Sequence, residues 1–144
     1  MKSSLWLFAL TLGCGADTVQ TVTTGSGFVE DDSDEDGPII DHDFINTSQR
    51  YMEDVPVDAW VYDDGSGVFI VEVVYKREDS TVWDSKPIPV EDVEPDFYSG
   101  EIPAADVVSG GMHYYLEAHD RDGNVSFEPT EGAQNPFHFR ITAD

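Results

Sequence analysis

Apolar and polar residues alternate with a period of two over much of the chain beyond residue 55, the pattern of β-strands with one buried face. Val57, Ala59 and Val61 share one face of a predicted strand, and Trp60 and Tyr62 lie on the opposite face. No stretch shows the period and capping residues of an amphipathic helix. Further strands are predicted at 68–75, 80–90, 97–102, 112–119 and 137–141. The pattern predicts an all-β fold of about seven short strands.

The type of each residue indicates where some of these strands lie in the sheets. Segment 68–75 is apolar on both faces, which favours a central strand between two packed layers. Segment 80–90 is interrupted by Pro87 and Pro89, which suits an edge strand. We expect Trp60 to lie in the core, because sandwich strands commonly bury a large aromatic side chain.

Three motifs resemble the fibronectin type III-like modules of bacteria: YYLEAHD at 114–120 followed by Gly123-Asn124, GVFIVEVVYKR at 67–77, and YSGEIP at 98–103. The resemblance covers residues 52–142. It implies an immunoglobulin or fibronectin type III-like sandwich of about seven strands with no catalysis of its own. It also implies that Tyr114 is structural, with a hydroxyl that ties a corner of the fold to the backbone.

The amino terminus has the features of an export signal. Lys2 precedes a short apolar run that ends at Cys14, the only cysteine, and the run is too short to span a bilayer. The segment resembles a bacterial lipoprotein signal peptide, which implies removal of residues 1–13, a lipid on Cys14, and a membrane-anchored protein of the bacterial cell envelope. A plain secretory peptide cleaved between Gly13 and Ala16, giving a secreted protein, is the alternative.

Acidic residues are concentrated between the predicted signal and the predicted domain. Residues 30–43 hold eight carboxylates in fourteen positions. Such a segment is too polar and self-repelling to build a core. The sequence therefore predicts a lipid-anchored, flexible acidic linker over 14–43 and a single sandwich domain over 44–144.

The overall charge excludes one class of partner. Seven basic residues stand against thirty acidic ones, for a net charge of -23. This surface repels nucleic-acid phosphates, so we exclude nucleic-acid binding, and it attracts cations and cationic partners.

Two sets of residues are candidates for ligand binding. Asp32, Asp34, Asp36 and Asp43 have the spacing of positions one, three, five and twelve of a calcium loop. The alternative is a solvated acidic linker without an ion, and no cofactor is then expected. Trp60, Tyr62 and Trp83 would form a platform for stacking sugar rings if they were exposed on one sheet.

Catalytic signals are weak. No Gly-x-Ser-x-Gly elbow occurs. Glu72 and Glu117 are a possible glycosidase pair, although outward polar positions of a sandwich explain them equally. His113 and His119 lie too far apart along one strand, by about 20 Å at the usual rise, to bind one ion, whereas His138 on the last strand can approach one of them.

The sequence as a whole predicts a non-catalytic cell-envelope lipoprotein that carries one immunoglobulin-like β-sandwich for adhesion or protein scaffolding. Its partner would be another envelope protein or a glycan. The alternatives are a carbohydrate-binding module and a calcium-binding surface protein. Exposed aromatic side chains would favour the carbohydrate alternative, and buried ones the scaffold.

Overall fold

A computed structural model describes residues 34–108 and 110–143 of the chain. Within these residues no helix is long and apolar enough to cross a membrane. A single 3-10 turn, Gly132–Gln134, is the helical element of the described part. The strands are β1 (Ile39–Asp41), β2 (Gln49–Arg50), β3 (Val55–Tyr62), β4 (Val68–Arg77), β5 (Asp84–Pro87), β6 (Phe97–Ile102), β7 (Gly110–Asp120), β8 (Val125–Glu128) and β9 (Phe137–Thr142).

The strands form two sheets. The smaller sheet is antiparallel, in the order β1-β3-β6. The larger sheet has the order β2-β9-β7-β4-β5, and β8 pairs with the second half of β7. Only the short β2 pairs in parallel, with β9, among these described strands. The inner faces of both sheets contribute to one core, so the molecule is a β-sandwich and the all-β prediction is confirmed.

The core follows from the period of two. Val57, Ala59 and Val61 on β3 share one buried face, as the sequence predicts, and the residues between them, Asp58 and Trp60, are exposed. Alternate residues of β4 and β7 face them from the other sheet. The largest fully buried side chains are Tyr114, Ile102, Met112, Leu116, Val55, Val57, Val61, Val71, Val73 and Val107.

The predicted positions of β4 and β5 in the sheet are confirmed. β4 pairs with β5 on one side and β7 on the other, so it is a central strand. β5 pairs with β4 alone among the described strands, and it covers only Asp84–Pro87 of the predicted segment 80–90. Proline removes a ladder donor, which explains why the regular strand stops at Pro87.

The folded part of the chain begins earlier than the predicted boundary at residue 44. Ile39–Asp41, assigned by sequence to the flexible linker, forms β1 on the edge of β3. Three residues are too few to show a strand period, and they are ordered because the edge of β3 offers backbone donors and acceptors. Cys14, the predicted signal peptide at 1–13 and the linker up to residue 33 lie outside the described residues.

Candidate functional site

The outward-facing side of the smaller sheet carries a cluster of exposed aromatic side chains. Trp60 on β3 lies opposite Asp41 of β1 and Phe97 of β6, and Tyr62 lies opposite Ile39. Directly paired residues of a sheet point to the same face, so these side chains stand together. We call this surface the aromatic face; it consists of Ile39, Asp41, Asp58, Trp60, Tyr62, Phe97 and Ser99.

Trp60 is exposed to solvent at 44% and Tyr62 at 42%, so the prediction that Trp60 lies in the core is wrong. The ring of Trp60 packs on Phe97 instead, with centroids 5.1 Å apart and planes tilted by 52°. The cause is the register of β3: the smaller side chains of Val57, Ala59 and Val61 take the inward positions, and the pleat directs Trp60 outward.

A cleft of about 480 Å³ lies beside Trp60 on the aromatic face. Three carboxylates line it, those of Asp41, Asp43 and Asp58, together with Trp60 and Phe97. None of the described residues that line it is a lysine or an arginine. The cleft therefore combines a half-exposed aromatic surface with local negative charge.

Hydrogen bonds between side chains and backbone fix the floor of this cleft. His42 Nδ1 lies 2.6 Å from the carbonyl oxygen of Asp58, and His42 Nε2 lies 2.9 Å from the Tyr114 hydroxyl. Because a carbonyl oxygen can only accept, Nδ1 carries a proton, and in this tautomer Nε2 accepts from the tyrosine hydroxyl. The hydroxyl of Ser99 donates to Asp58 Oδ1 at 2.7 Å, which orients that carboxylate.

Trp83 does not join Trp60 and Tyr62. It is half-buried on the larger sheet, where its ring makes an edge contact with Tyr115 at a centroid distance of 5.2 Å. The ammonium group of Lys76 lies 4.9 Å from the centre of the Trp83 ring. The structure thus brings two of the three predicted stacking residues to one face and places the third elsewhere.

A second feature is a cluster of three carboxylates from distant parts of the chain. Oxygen atoms of Asp34, Asp63 and Asp120 all lie within 4.8 Å of one another, and these are the described residues best placed to hold a metal. Asp34 accepts hydrogen bonds from the backbone N–H groups of Asp36 and Ser66, at 3.1 and 3.0 Å. The carboxylate of Asp34 is therefore already hydrogen-bonded to two backbone N–H groups.

Asp120 is the buried member of the cluster, at 3% exposure. Burial acts to raise the pKa of its carboxyl group, but the Asn124 side chain and the N–H groups of Asn124, Gly123 and Asp122 donate to it, and the pKa is lowered overall. The three N–H groups lie 2.6–2.9 Å from Oδ1. Asp120 thus shapes the turn between β7 and β8. Sequence analysis missed Asp63 and Asp120, although Asp120 belongs to the YYLEAHD motif.

The predicted calcium loop does not close on one point within the described residues. Asp34 precedes β1 at the end near Tyr62, and Asp43 follows β1 beside the cleft at Trp60. The extended β1 separates the two carboxylates, and Asp36 makes its bond to Asp34 through the backbone. Asp32 lies outside the described residues.

The histidines follow the predicted arrangement. His138 of β9 lies directly opposite His113 of β7, with ring centroids 4.9 Å apart. His119 instead contacts Glu117, with Nε2 2.7 Å from Oε1. Burial, followed by the charge of His138, lowers the pKa of His113. The two strand histidines at 113 and 119 therefore have separate partners.

Comparison with known proteins shows a fold relationship only. No family model matches the chain, and no curated protein matches it. The structure is similar to part of an endo-β-1,4-mannanase from Thermotoga petrophila, with a TM-score of 0.50 and 14% identity over 77% of this chain. An engineered protein aligns with a TM-score of 0.40, 14% identity and 74% coverage of this chain. The chain spans only about a fifth of these two solved chains, 21% and 20%.

Proposed function

We propose that the chain is a non-catalytic binding module of the immunoglobulin or fibronectin type III-like class. A lipid on Cys14 would hold it on the bacterial cell envelope, and the aromatic face would bind a neighbouring envelope protein for adhesion or scaffolding. The exposure of Trp60 and Tyr62, at 44% and 42%, is what the carbohydrate alternative predicts, but Trp83 lies on the other sheet and does not complete a stacking platform. The observation that carries a protein partner is the set of carboxylates, Asp41, Asp43 and Asp58, that lines the cleft beside the exposed ring of Trp60. Such rings are costly to leave in water and commonly mark a binding surface.

The strand order supports the fold type in this proposal. One sheet has the order β1-β3-β6 and the other β2-β9-β7-β4-β5, so the chain changes sheets after β1, β2, β3, β5 and β6 and stays in the larger sheet from β4 to β5 and from β7 to β9. This arrangement is what an immunoglobulin-like sandwich with an additional edge strand gives, with β3 and β6 in one sheet and β4, β7 and β9 in the other.

The acidic pair considered for catalysis has an ordinary structural explanation. Glu72 and Glu117 lie directly opposite each other on β4 and β7. They stand on the outward side of the larger sheet, and Glu117 is hydrogen-bonded to His119. Outward polar positions of a sandwich account for both residues, so we assign them no catalytic role.

Photo-crosslinking in the producing cell tests the proposal. A photoreactive amino acid at Tyr62 should give a discrete adduct with an envelope component. The matched control is the same amino acid at Phe69, which is 69% exposed at an irregularity of β4 in the larger sheet. Equal adducts from both positions, or none from Tyr62, would refute a role for the aromatic face.

A carbohydrate-binding module is the second candidate function. The side chains of Trp60 and Tyr62 are two residues apart on one strand, about 7 Å, so both can contact one sugar chain lying along β3. Affinity electrophoresis against neutral polysaccharides tests this candidate. Retardation of the protein that is abolished by Trp60→Ala and retained in Phe69→Ala would support it; retardation that survives Trp60→Ala would exclude this face.

A further inference from the structure

We infer that the partner of the aromatic face is a positively charged polypeptide segment, with a lysine or arginine side chain seated in the cleft beside Trp60. This inference rests on the proposed binding function of that face. It adds the chemistry of the partner, which the exposure of the aromatic rings alone does not define.

Charge around the cleft is the first argument. The carboxylates of Asp41, Asp43 and Asp58 all line it, and its described lining residues include His42 but no lysine or arginine. Several basic residues of the described chain are engaged elsewhere: Lys86 with Glu101, Arg77 with Asp79, and Arg50 with Glu53. Three like charges around one cleft repel one another, and a cation supplied by a partner relieves that repulsion.

The aromatic ring beside these carboxylates is the second argument. A cation above the face of a tryptophan is attracted by the ring, most strongly when water is partly displaced. The chain itself makes this contact on its other sheet, where Lys76 lies 4.9 Å from the centre of the Trp83 ring. Trp60 offers the same surface next to carboxylates, so an incoming cation meets both attractions at once.

The same charges disfavour other classes of partner. Anionic polysaccharides and nucleic acids are repelled by a chain of net charge -23. A neutral sugar would stack on Trp60 but would leave the three carboxylates uncompensated. A basic segment compensates them and contacts the ring, and long-range attraction to the acidic protein also accelerates its association.

Nuclear magnetic resonance with a short probe peptide tests the inference on the full chain. The probe is the capped peptide Gly-Arg-Gly-Lys-Gly, and its control has citrulline and norleucine in place of arginine and lysine. We expect the basic peptide to shift the indole N–H signal of Trp60 saturably, with the Trp83 signal unchanged and no saturable shift from the control. Equal shifts of both indoles would indicate diffuse attraction and overturn the inference.

Charge-neutralising variants localise the effect. The double variant Asp41→Asn, Asp58→Asn should weaken binding of the basic peptide about tenfold, since each exposed ion pair contributes a few-fold. The amide oxygen that Asp58→Asn introduces can still accept from Ser99, so the sheet face is kept. Glu131→Gln, an exposed acid outside the face, is the matched control and should change affinity little. Equal loss in both variants would overturn the inference.

Failure of this inference and failure of the proposed function give different results. If neutral mannan or glucan oligosaccharides shift Trp60 and the basic peptide does not, the cationic partner is wrong and the aromatic face remains a binding surface. If neither probe shifts Trp60 and Tyr62 yields no crosslink in cells, the proposed function of the face is itself refuted.

Discussion

The hydroxyl of Tyr114 accepts a hydrogen bond from the backbone N–H of Ile45 at 2.8 Å. Tyr114 is fully buried on β7 of the larger sheet, and Ile45 follows β1 of the smaller sheet. The same hydroxyl donates to His42 Nε2 at 2.9 Å. One side chain thus ties the segment after β1 to the opposite sheet. The fibronectin resemblance implied a tyrosine of this kind, and the structure assigns its partner.

Removing this hydroxyl should destabilise the domain measurably. Tyr114→Phe leaves the N–H of Ile45 without its acceptor, so we expect the free energy of unfolding to fall by about 1–3 kcal/mol. Tyr114→Ala also leaves a cavity and should lower it by about 3–5 kcal/mol. Urea denaturation measures both values. Tyr62→Phe, at an exposed tyrosine, is the control. If the free energy of unfolding fell equally in Tyr62→Phe and Tyr114→Phe, the stabilising role of the Tyr114 hydroxyl would be contradicted.

Alkaline pH should destabilise the native protein through the same residue. Burial, partly offset by the Ile45 N–H, raises the pKa of Tyr114 from 10.0 to about 12. Its contribution is therefore complete below pH 10 and is lost as the pH rises from 10 to about 12, by at most about 3 kcal/mol. Urea denaturation at several alkaline pH values should show a steeper decline in the parent than in Tyr114→Phe. Burial also raises the pKa of Tyr75. Because Tyr75 is present in both the parent and Tyr114→Phe, its effect on stability does not contribute to the difference between the two proteins.

The contact between Asp34 and Gly65 should anchor the start of the domain. A Cβ atom at Gly65 would overlap the carboxylate of Asp34, so we expect Gly65→Ala to displace Asp34 and cost about 1–3 kcal/mol. A double-mutant cycle with Asp34→Ala separates this effect from a local change in the turn. The cost of Gly65→Ala should fall clearly when Asp34 is already alanine; an unchanged cost would mean that the contact does not matter.

We expect the protein to have no defined calcium site. The carboxylates of Asp34, Asp63 and Asp120 already accept backbone N–H groups, and Asp43 lies beside the separate cleft at Trp60. We therefore expect titration calorimetry with calcium in physiological salt to show no saturable heat, because salt screens loose attraction to exposed acids. A one-site isotherm abolished by Asp63→Asn and unaffected by Asp43→Asn would instead identify the three-carboxylate cluster as a metal centre.

Cys14 should carry a lipid. The apolar run that ends at a solitary cysteine predicts this, so the protein should partition into the detergent phase. Cys14→Ser should accumulate as an unprocessed precursor, visible as a larger band on immunoblots. Normal processing of Cys14→Ser to a soluble product would indicate the secretory alternative.

Most strands of the sandwich could be predicted because their information is local. The alternation in Val55–Tyr62 divides the residues of this strand between two faces, and burial alternates in the same way. The prolines at 87 and 89 likewise indicate an edge strand without reference to neighbours. The short strands β1, β2 and β8 were not predicted, because a period of two needs a longer run to be visible.

The candidate site depended on contacts between distant segments. Alternation placed Trp60 and Tyr62 on the face opposite Val57, but it could not say which of the two faces the other sheet would cover. Trp60 is exposed because the opposing sheet packs on the smaller side chains of β3 and leaves the indole beside Phe97. Sequence spacing also grouped Asp43 with Asp34, whereas β1 separates them.

The sequence by itself determined the period of the strands, the turns between them and the strong negative charge, since each depends on neighbouring residues or on composition. Tertiary structure alone decided that β1 forms the edge of the smaller sheet, and that Trp83 lies on the larger sheet and not on the aromatic face. It also decided that the carboxylate of Asp34 lies close to those of Asp63 and Asp120. These features join residues far apart along the chain. Their positions depend on how two sheets pack and which edges pair, and no local pattern encodes that geometry.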